Sequence, residues 1–225
     1  MVGVNHCVAH LEIGRAATGC ENPVLLYVSG GNTQVIAFAE GRYRVFGETL
    51  DIGVGNMLDK FARGAGLGFP GGPIVERLAL QGKELVELPY SVKGMDVAFS
   101  GMLTAALDFL RKGGNLPDIC FSIQETAFAM LTEVTERAMA HLDRNEVLLS
   151  GGVACNSRLK SMASRMAADR RARMFAPEPA LCVDNGAMIA WTGLLAHRSG
   201  SRLRMEDSVV NQRYRTDQVD VTWIQ

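Results

Sequence analysis

Apolar positions follow two rhythms along the chain. From His6 to Thr18, the residues Val8, Ala9, Leu11, Ile13 and Ala16 recur at helical spacing, and Gly19 stands where such a helix would close. Residues 24–28, 33–38 and 43–47 are short runs rich in Val, Ile, Leu and Tyr, parted by Ser29-Gly30-Gly31-Asn32 and by Glu40-Gly41. Turns that short join antiparallel neighbours, so the pattern predicts a β-meander. After Asp51 the period lengthens. Helices are expected over residues 56–64, 73–82, 102–112 and 124–142, with Ser100 capping the third. A strand at 146–150 then runs into Gly151-Gly152, a helix spans 156–170, and a strand at 173–176 and a helix at 184–197 follow. Meander, helices and then strand–helix alternation predict an α/β fold with a mixed sheet. The polar stretch from Arg202, ending in the apolar run 219–224, is expected to pack as an extended arm.

Composition acts mainly by exclusion. The 225 residues are 48% hydrophobic, 21% charged and 7% aromatic, with mean hydropathy +0.08, which is ordinary globular composition. That length can bury a sizeable core, and that composition excludes a disordered tail, a coiled coil or a collagen-like repeat. The apolar stretch from Ala187 to Ala196 is too short to cross a bilayer, and the first residues lack the basic and apolar segments of a signal peptide. A cytoplasmic protein without a membrane partner is expected. The five scattered cysteines, Cys7, Cys20, Cys120, Cys155 and Cys182, fit reduced thiols. A formal charge of −1 gives no general footprint for nucleic acid. The basic run Arg158, Lys160, Arg165, Arg170, Arg171 and Arg173 is either a solvated helix face or a local patch.

The chemistry is concentrated in a few places. His6 and His10 stand at i and i+4, a spacing that lets both imidazoles reach one metal ion. Two ligands do not close a site, and the same spacing also suits two ordinary helix histidines. Asp184, ahead of the last helix, is a distant third ligand or an N-cap; Tyr27, ending a strand, is a phenolate donor or a packing residue. Ser29-Gly30-Gly31 and Gly151-Gly152 both follow strands, where glycine lets backbone N–H groups approach an anion. Asp51, Asp59 and Glu76 lie in a glycine-dense segment and can accept hydrogen bonds from a ribose or an ammonium group. There is no G-x-x-x-x-G-K-[ST] motif, so a P-loop is excluded.

Taken in order, Asn5-His6-Cys7-Val8-Ala9-His10, Tyr27-Val28-Ser29-Gly30-Gly31-Asn32-Thr33, Gly55 through Arg63, Pro70-Gly71-Gly72-Pro73, Lys93-Gly94-Met95-Asp96, Phe99-Ser100-Gly101, Ser150 through Asn156, and Asp184-Asn185-Gly186-Ala187-Met188 resemble one family. It is the universal tRNA threonylcarbamoyladenosine transferase family, once described as O-sialoglycoprotein endopeptidases. The ending Gln212 through Asp217, with Trp223, resembles the archaeal and eukaryotic branch, the catalytic subunit of the KEOPS complex.

The resemblance implies an actin-like fold of the sugar-kinase and heat-shock-ATPase type. It implies transfer of threonylcarbamoyl from threonylcarbamoyl-AMP to the N6 amine of the adenosine beside the anticodon in ANN-decoding tRNAs. His6, His10, Asp184 and Tyr27 would hold one divalent ion, iron or zinc. Tyr27, Val28, Ser29, Gly30, Gly31, Asp59, Gly72, Glu76 and Asn156 would line the adenylate or adenine-nucleotide pocket. Implied partners are tRNA and KEOPS subunits, among them a small protein kinase and dimerising subunits.

Family members carry a long segment ahead of the histidine helix that forms most of a first lobe. Residues 1–22 are therefore expected to be a remnant of that lobe with the metal-binding helix. Residues 23–198 would be the second lobe, with a helical insertion at about 51–115, and residues 199–225 an arm returning to the first. Two other functions remain open at this stage: a non-catalytic fragment that binds nucleotide and partners, and a metalloendopeptidase. The second lacks the H-E-x-x-H glutamate, because Cys7, Val8 and Ala9 separate the histidines.

Overall fold

Asn5 caps helix α1 (His6–Thr18) by accepting from Val8 N at 3.1 Å, and Gly19 closes it in the left-handed region at φ 72°. The chain then enters β1 (Val24–Val28), β2 (Thr33–Ala39) and β3 (Arg42–Glu48), the antiparallel meander expected from the sequence. Helices α2 (Val54–Gly64) and α3 (Gly71–Ala79), a small ribbon of β4 (Val92–Lys93) and β5 (Asp96–Val97), α4 (Ser100–Arg111) and the long α5 (Leu116–His141) follow. The tail is β6 (Glu146–Ser150), α6 (Ser157–Asp169), β7 (Arg173–Phe175), the short α7 (Pro179–Cys182) and α8 (Gly186–Arg198). This computed structural model describes residues 1–224.

The main sheet runs β3-β2-β1-β6-β7, with β6 parallel to both β1 and β7. Its pleat sends alternate side chains to opposite faces. Val24, Leu26 and Val28, with Val147 and Leu149, join Met57, Phe61, Phe128 and Leu131 in a core beneath the helices that follow the meander. Leu25, Tyr27 and Leu148 face the other way, onto Val8 and Leu11 of α1 and onto Val219 and Val221 of the C-terminal arm. Both faces are covered, so β1 and β6 are buried throughout, β1 as an unbroken apolar run and β6 as Val147-Leu148-Leu149 between the buried Glu146 and Ser150.

Several boundaries differ from the sequence expectation for local reasons. Helix α5 starts at Leu116, because Asn115 accepts from Asp118 N at 3.1 Å and Pro117 suits a first turn. Ser100 is not a cap. Asp51 performs that role from a distance, accepting from Phe99 N at 2.9 Å and Ser100 N at 2.8 Å. Partial burial pushes the Asp51 carboxyl up, but the Ser100 hydroxyl and the N–H groups of Phe99, Ser100 and Ile52 bring it down to about 2. Helix α8 begins at Gly186 with Asn185 as its cap, accepting from Met188 N at 2.9 Å, so Asp184 is released from that duty. Among the described residues no helix is long and apolar enough to cross a membrane.

Candidate metal centre and nucleotide loops

The single helical turn between His6 and His10 sets their ring centroids 4.9 Å apart on one face of α1. The link between α7 and α8 brings Asp184 to that face from 174 positions away in sequence, as counted from His10. Its Oδ1 lies 3.1 Å from His6 Nε2 and 3.0 Å from His10 Nε2. Two imidazole nitrogens and a carboxylate oxygen, all within 4.8 Å of one another, are a mixed N/O donor set of the kind that suits iron or zinc.

Burial differs sharply across the cluster. The His10 side chain is fully enclosed, while those of His6 and Asp184 are 45% and 75% exposed. Burial lowers the His10 pKa, outweighing the hydrogen bond to Asp184, and so favours the neutral imidazole that metal binding requires. Tyr27 lies beside it, ring centroids 4.8 Å apart. Its phenol is pushed up to about 12, by burial first and then by the nearby Cys7 and Asp184, against a hydrogen bond with Ser29. Burial likewise pushes up the half-buried Cys7 thiol, against the neighbouring Thr216 of the C-terminal arm. The donor set therefore fits a cation that is held from within and reached from outside.

The parallel register Tyr27↔Ser150 puts the two glycine loops side by side at the carboxyl ends of β1 and β6. The first is a closed turn, with Ser29 N donating to Asn32 O at 2.8 Å and Asn32 N to Ser29 Oγ at 3.0 Å. Helix α2 docks on it through Gly55 N to Ser29 O (3.1 Å) and Asn56 N to Gly30 O (2.9 Å). A Cβ at Gly55 would stand 2.6 Å from that Ser29 oxygen, so only glycine allows the approach. Gly31 and Gly152 face open space.

Three predicted pocket residues already hold the protein's own groups. Asp59 accepts from Gly71 N (2.7 Å), beside Gly72. Glu76 accepts from Ser157 N (2.8 Å) and Ser157 Oγ (2.5 Å). Asn156 accepts from Arg158 N (2.9 Å) and Leu159 N (3.2 Å) while its amide donates to Gln124 Oε1 (3.0 Å). Each steadies a helix start next to a glycine loop. Val28 stays in the strand, wholly buried, so only its backbone is available there.

A family model described as TsaD, tRNA N6-adenosine threonylcarbamoyltransferase, matches residues 1–191. The chain belongs to this family. It is 62% identical, over its whole length, to a probable bifunctional tRNA threonylcarbamoyladenosine biosynthesis protein of Methanothermobacter thermautotrophicus, of which it spans 42%. It is 59% identical to the tRNA N6-adenosine threonylcarbamoyltransferase of Thermococcus kodakarensis, with 99% of this chain matching 69% of that one. In three dimensions it is similar to full-length HypF in a phosphate- and nucleotide-bound form, with TM-score 0.70, 13% identity, and 87% of this chain covering 42% of that one. It is also similar to the activator of 2-hydroxyisocaproyl-CoA dehydratase from Clostridium difficile with bound ADPNP, with TM-score 0.55, 13% identity, and 88% of this chain covering 70% of that one. At that identity the likeness speaks for the fold alone, an α/β arrangement of the actin-like ATPase and sugar-kinase type.

Two residues of this threonylcarbamoyltransferase-family chain escape sequence reasoning. Ser150 places its hydroxyl 3.3 Å from His10 Nδ1, and Thr216 reaches Cys7. A polar residue closing the apolar run 146–150 was the available sign for the first; nothing local marks the second. The basic run fares differently. Arg158 pairs with Glu125 (2.6 Å), Arg170 with Glu136 (3.5 Å) and Arg173 with Glu146 (2.5 Å), so half of its arginine–lysine charge is matched within the protein.

Proposed function

We propose that this chain supplies the metal centre and nucleotide-facing loops of a threonylcarbamoyl transferase acting on tRNA. The acyl donor is threonylcarbamoyl-AMP and the acceptor is the N6 amine of the adenosine beside the anticodon in ANN-decoding tRNAs. One observation carries the proposal: His6, His10 and Asp184 converge beside two glycine loops at the carboxyl end of a parallel strand pair. That edge of an α/β sheet is where ligands bind.

In the reaction, the amine nitrogen forms a bond to the carbamoyl carbonyl carbon. The bond from that carbon to the phosphate oxygen breaks, AMP leaves with the electron pair, and the amine gives up a proton. An exocyclic amine attacking an activated carbonyl needs orientation and charge stabilisation more than a strong nucleophile. The open faces of Gly31 and Gly152 admit the phosphate close to backbone. Ser29, Gly30, Gly72, Asp59, Glu76 and Asn156 shape the nucleoside side of the pocket, with His6, His10, Asp184 and Tyr27 on the other. His6, His10, Asp184 and Tyr27 would hold an iron or zinc ion, which would supply Lewis-acid polarisation of a substrate oxygen. On this reading the partners would be tRNA and KEOPS subunits, including a small kinase and dimerising subunits, and the location the cytoplasm.

The test is nucleoside mass analysis of ANN-decoding tRNA after incubation with the protein, partner subunits and threonylcarbamoyl-AMP. Threonylcarbamoyladenosine is expected with the wild type, and a fall of at least two orders of magnitude with His6→Ala or Asp184→Ala. Undiminished product in both variants contradicts the role given to the centre. Adenylate binding without any product favours one of the two alternatives, a non-catalytic fragment that binds nucleotide and partners.

A further inference from the structure

Ser150 ends β6 with no exposed surface, and its hydroxyl faces the inner ring nitrogen of His10 at 3.3 Å. Its placement is fixed by backbone on both sides. It pairs with Tyr27 across the parallel strands, and the next residue, Gly151, donates its N–H to the carbonyl of Cys182 at 3.0 Å, two positions before Asp184. The hydroxyl thus sits on the sheet rather than on a loop, behind the one imidazole of the centre that is sealed from water.

That imidazole has two jobs to reconcile. With no cation present, His10 Nε2 carries the hydrogen and donates it to Asp184 Oδ1 across 3.0 Å, which leaves Nδ1 needing a donor. As a metal ligand, Nε2 presents its lone pair and the hydrogen resides on Nδ1, which then needs an acceptor. A backbone carbonyl or an amide N–H behind the ring would satisfy one tautomer and orphan the other. A hydroxyl serves both by rotating about Cβ–Oγ. We infer that Ser150 is a positioning residue that adapts to both tautomers of His10, so that the ring takes up and releases its metal ion without leaving a buried nitrogen unpaired. One proton leaves Nε2 and one arrives at Nδ1, so the ring is neutral before and after.

This inference rests on the metal role proposed above, and the experiment separates the two. Zinc affinity is measured by competition with a chelating dye for the wild type, Ser150→Ala, Ser150→Thr and His10→Ala, each checked for folding by thermal melting without metal. Ser150→Ala is expected to bind about 10–100-fold more weakly, the usual effect of removing a partner behind a metal ligand, with Ser150→Thr recovering most of the loss. Nitrogen NMR of the histidine-labelled wild type supplies a readout independent of any variant: His10 should be the Nε2–H tautomer without zinc and the Nδ1–H tautomer with it. Wild-type affinity in Ser150→Ala, equal losses in the alanine and threonine variants, or one unchanged tautomer would each overturn the inference while the metal role stands. A wild type that binds no zinc or iron at all defeats the metal role itself.

Discussion

Helix α1 carries two polar clusters, less than a turn apart, and they are built on opposite plans. At Glu12 every donor is protein. Its Oε1 accepts from the Tyr43 hydroxyl (2.5 Å) and from Trp223 Nε1 (2.7 Å), and its Oε2 from Arg15 (3.1 Å). Glu12 is buried, and burial together with that carboxylate drives the Tyr43 phenol well above its ordinary value. At Asp184 the carboxylate is three-quarters exposed, and one oxygen is shared by two imidazoles that both have better uses as ligands. The first cluster is saturated and fastens the C-terminal arm and β3 to α1. The second has coordinating capacity left over and opens to solvent. A saturated network specifies structure; an unsaturated one keeps capacity for a ligand. Cavity volume points elsewhere, since the hollow of about 310 Å³ beside Arg15 and Tyr43 and that of about 460 Å³ beside Arg158 and Met162 are lined by neither imidazole.

The sharpest way to break this contrast is to remove one carboxylate from each cluster. Glu12→Ala strands a guanidinium, a phenol and an indole N–H, and should cost about 3–5 kcal/mol in urea unfolding while folded molecules bind metal normally. A loss below 1 kcal/mol would remove the distinction. Trp223→Phe deletes a single donor to that carboxylate and should cost about 1.5–3 kcal/mol, with early release of the arm in hydrogen exchange.

The imidazole cluster should respond to pH instead. Burial holds the His10 pKa below its ordinary 6.5, so the unfolded chain binds the proton more tightly than the folded one. Its contribution to stability is therefore complete above that value and is lost as pH falls through it toward the lower folded value. Denaturation midpoints should drop from roughly pH 7 to pH 5, and the drop should shrink in His10→Gln. An unchanged pH slope in that variant would place the dependence elsewhere.

How much of this was legible in the chain varied with the range of the interaction. The bounds of α1, β1 and β6 match the sequence expectation because a helical stripe ending at Gly19 and two short strands with apolar centres are local signals. Helix α5 began eight residues ahead of expectation although Asn115, Pro117 and Asp118 announced it; the apolar rhythm is weaker there than the capping chemistry. The ribbon of β4 and β5 and the four-residue α7 are too short for periodicity to register. Of the centre, the imidazole pair follows from spacing alone. Asp184 read equally as a ligand or a cap; the structure gives the cap to Asn185 and sets Asp184 against both imidazoles. Ser150 and Thr216 depend on strand register and on the path of the arm, which no local pattern encodes. Asp59, Glu76 and Asn156 could be named from the family pattern, but not their grip on neighbouring helix starts.

Metal stoichiometry in the wild type and in Asp184→Ala, by equilibrium dialysis against iron or zinc, tests the centre most directly. One ion per chain in the wild type, falling to none in a variant that still unfolds cooperatively, is the expected result, because the Asp184 carboxylate is exposed and bonds only the two imidazoles of the cluster. Full occupancy in Asp184→Ala would mean that the carboxylate bridging both imidazoles is no ligand, and the centre would have to be sought elsewhere.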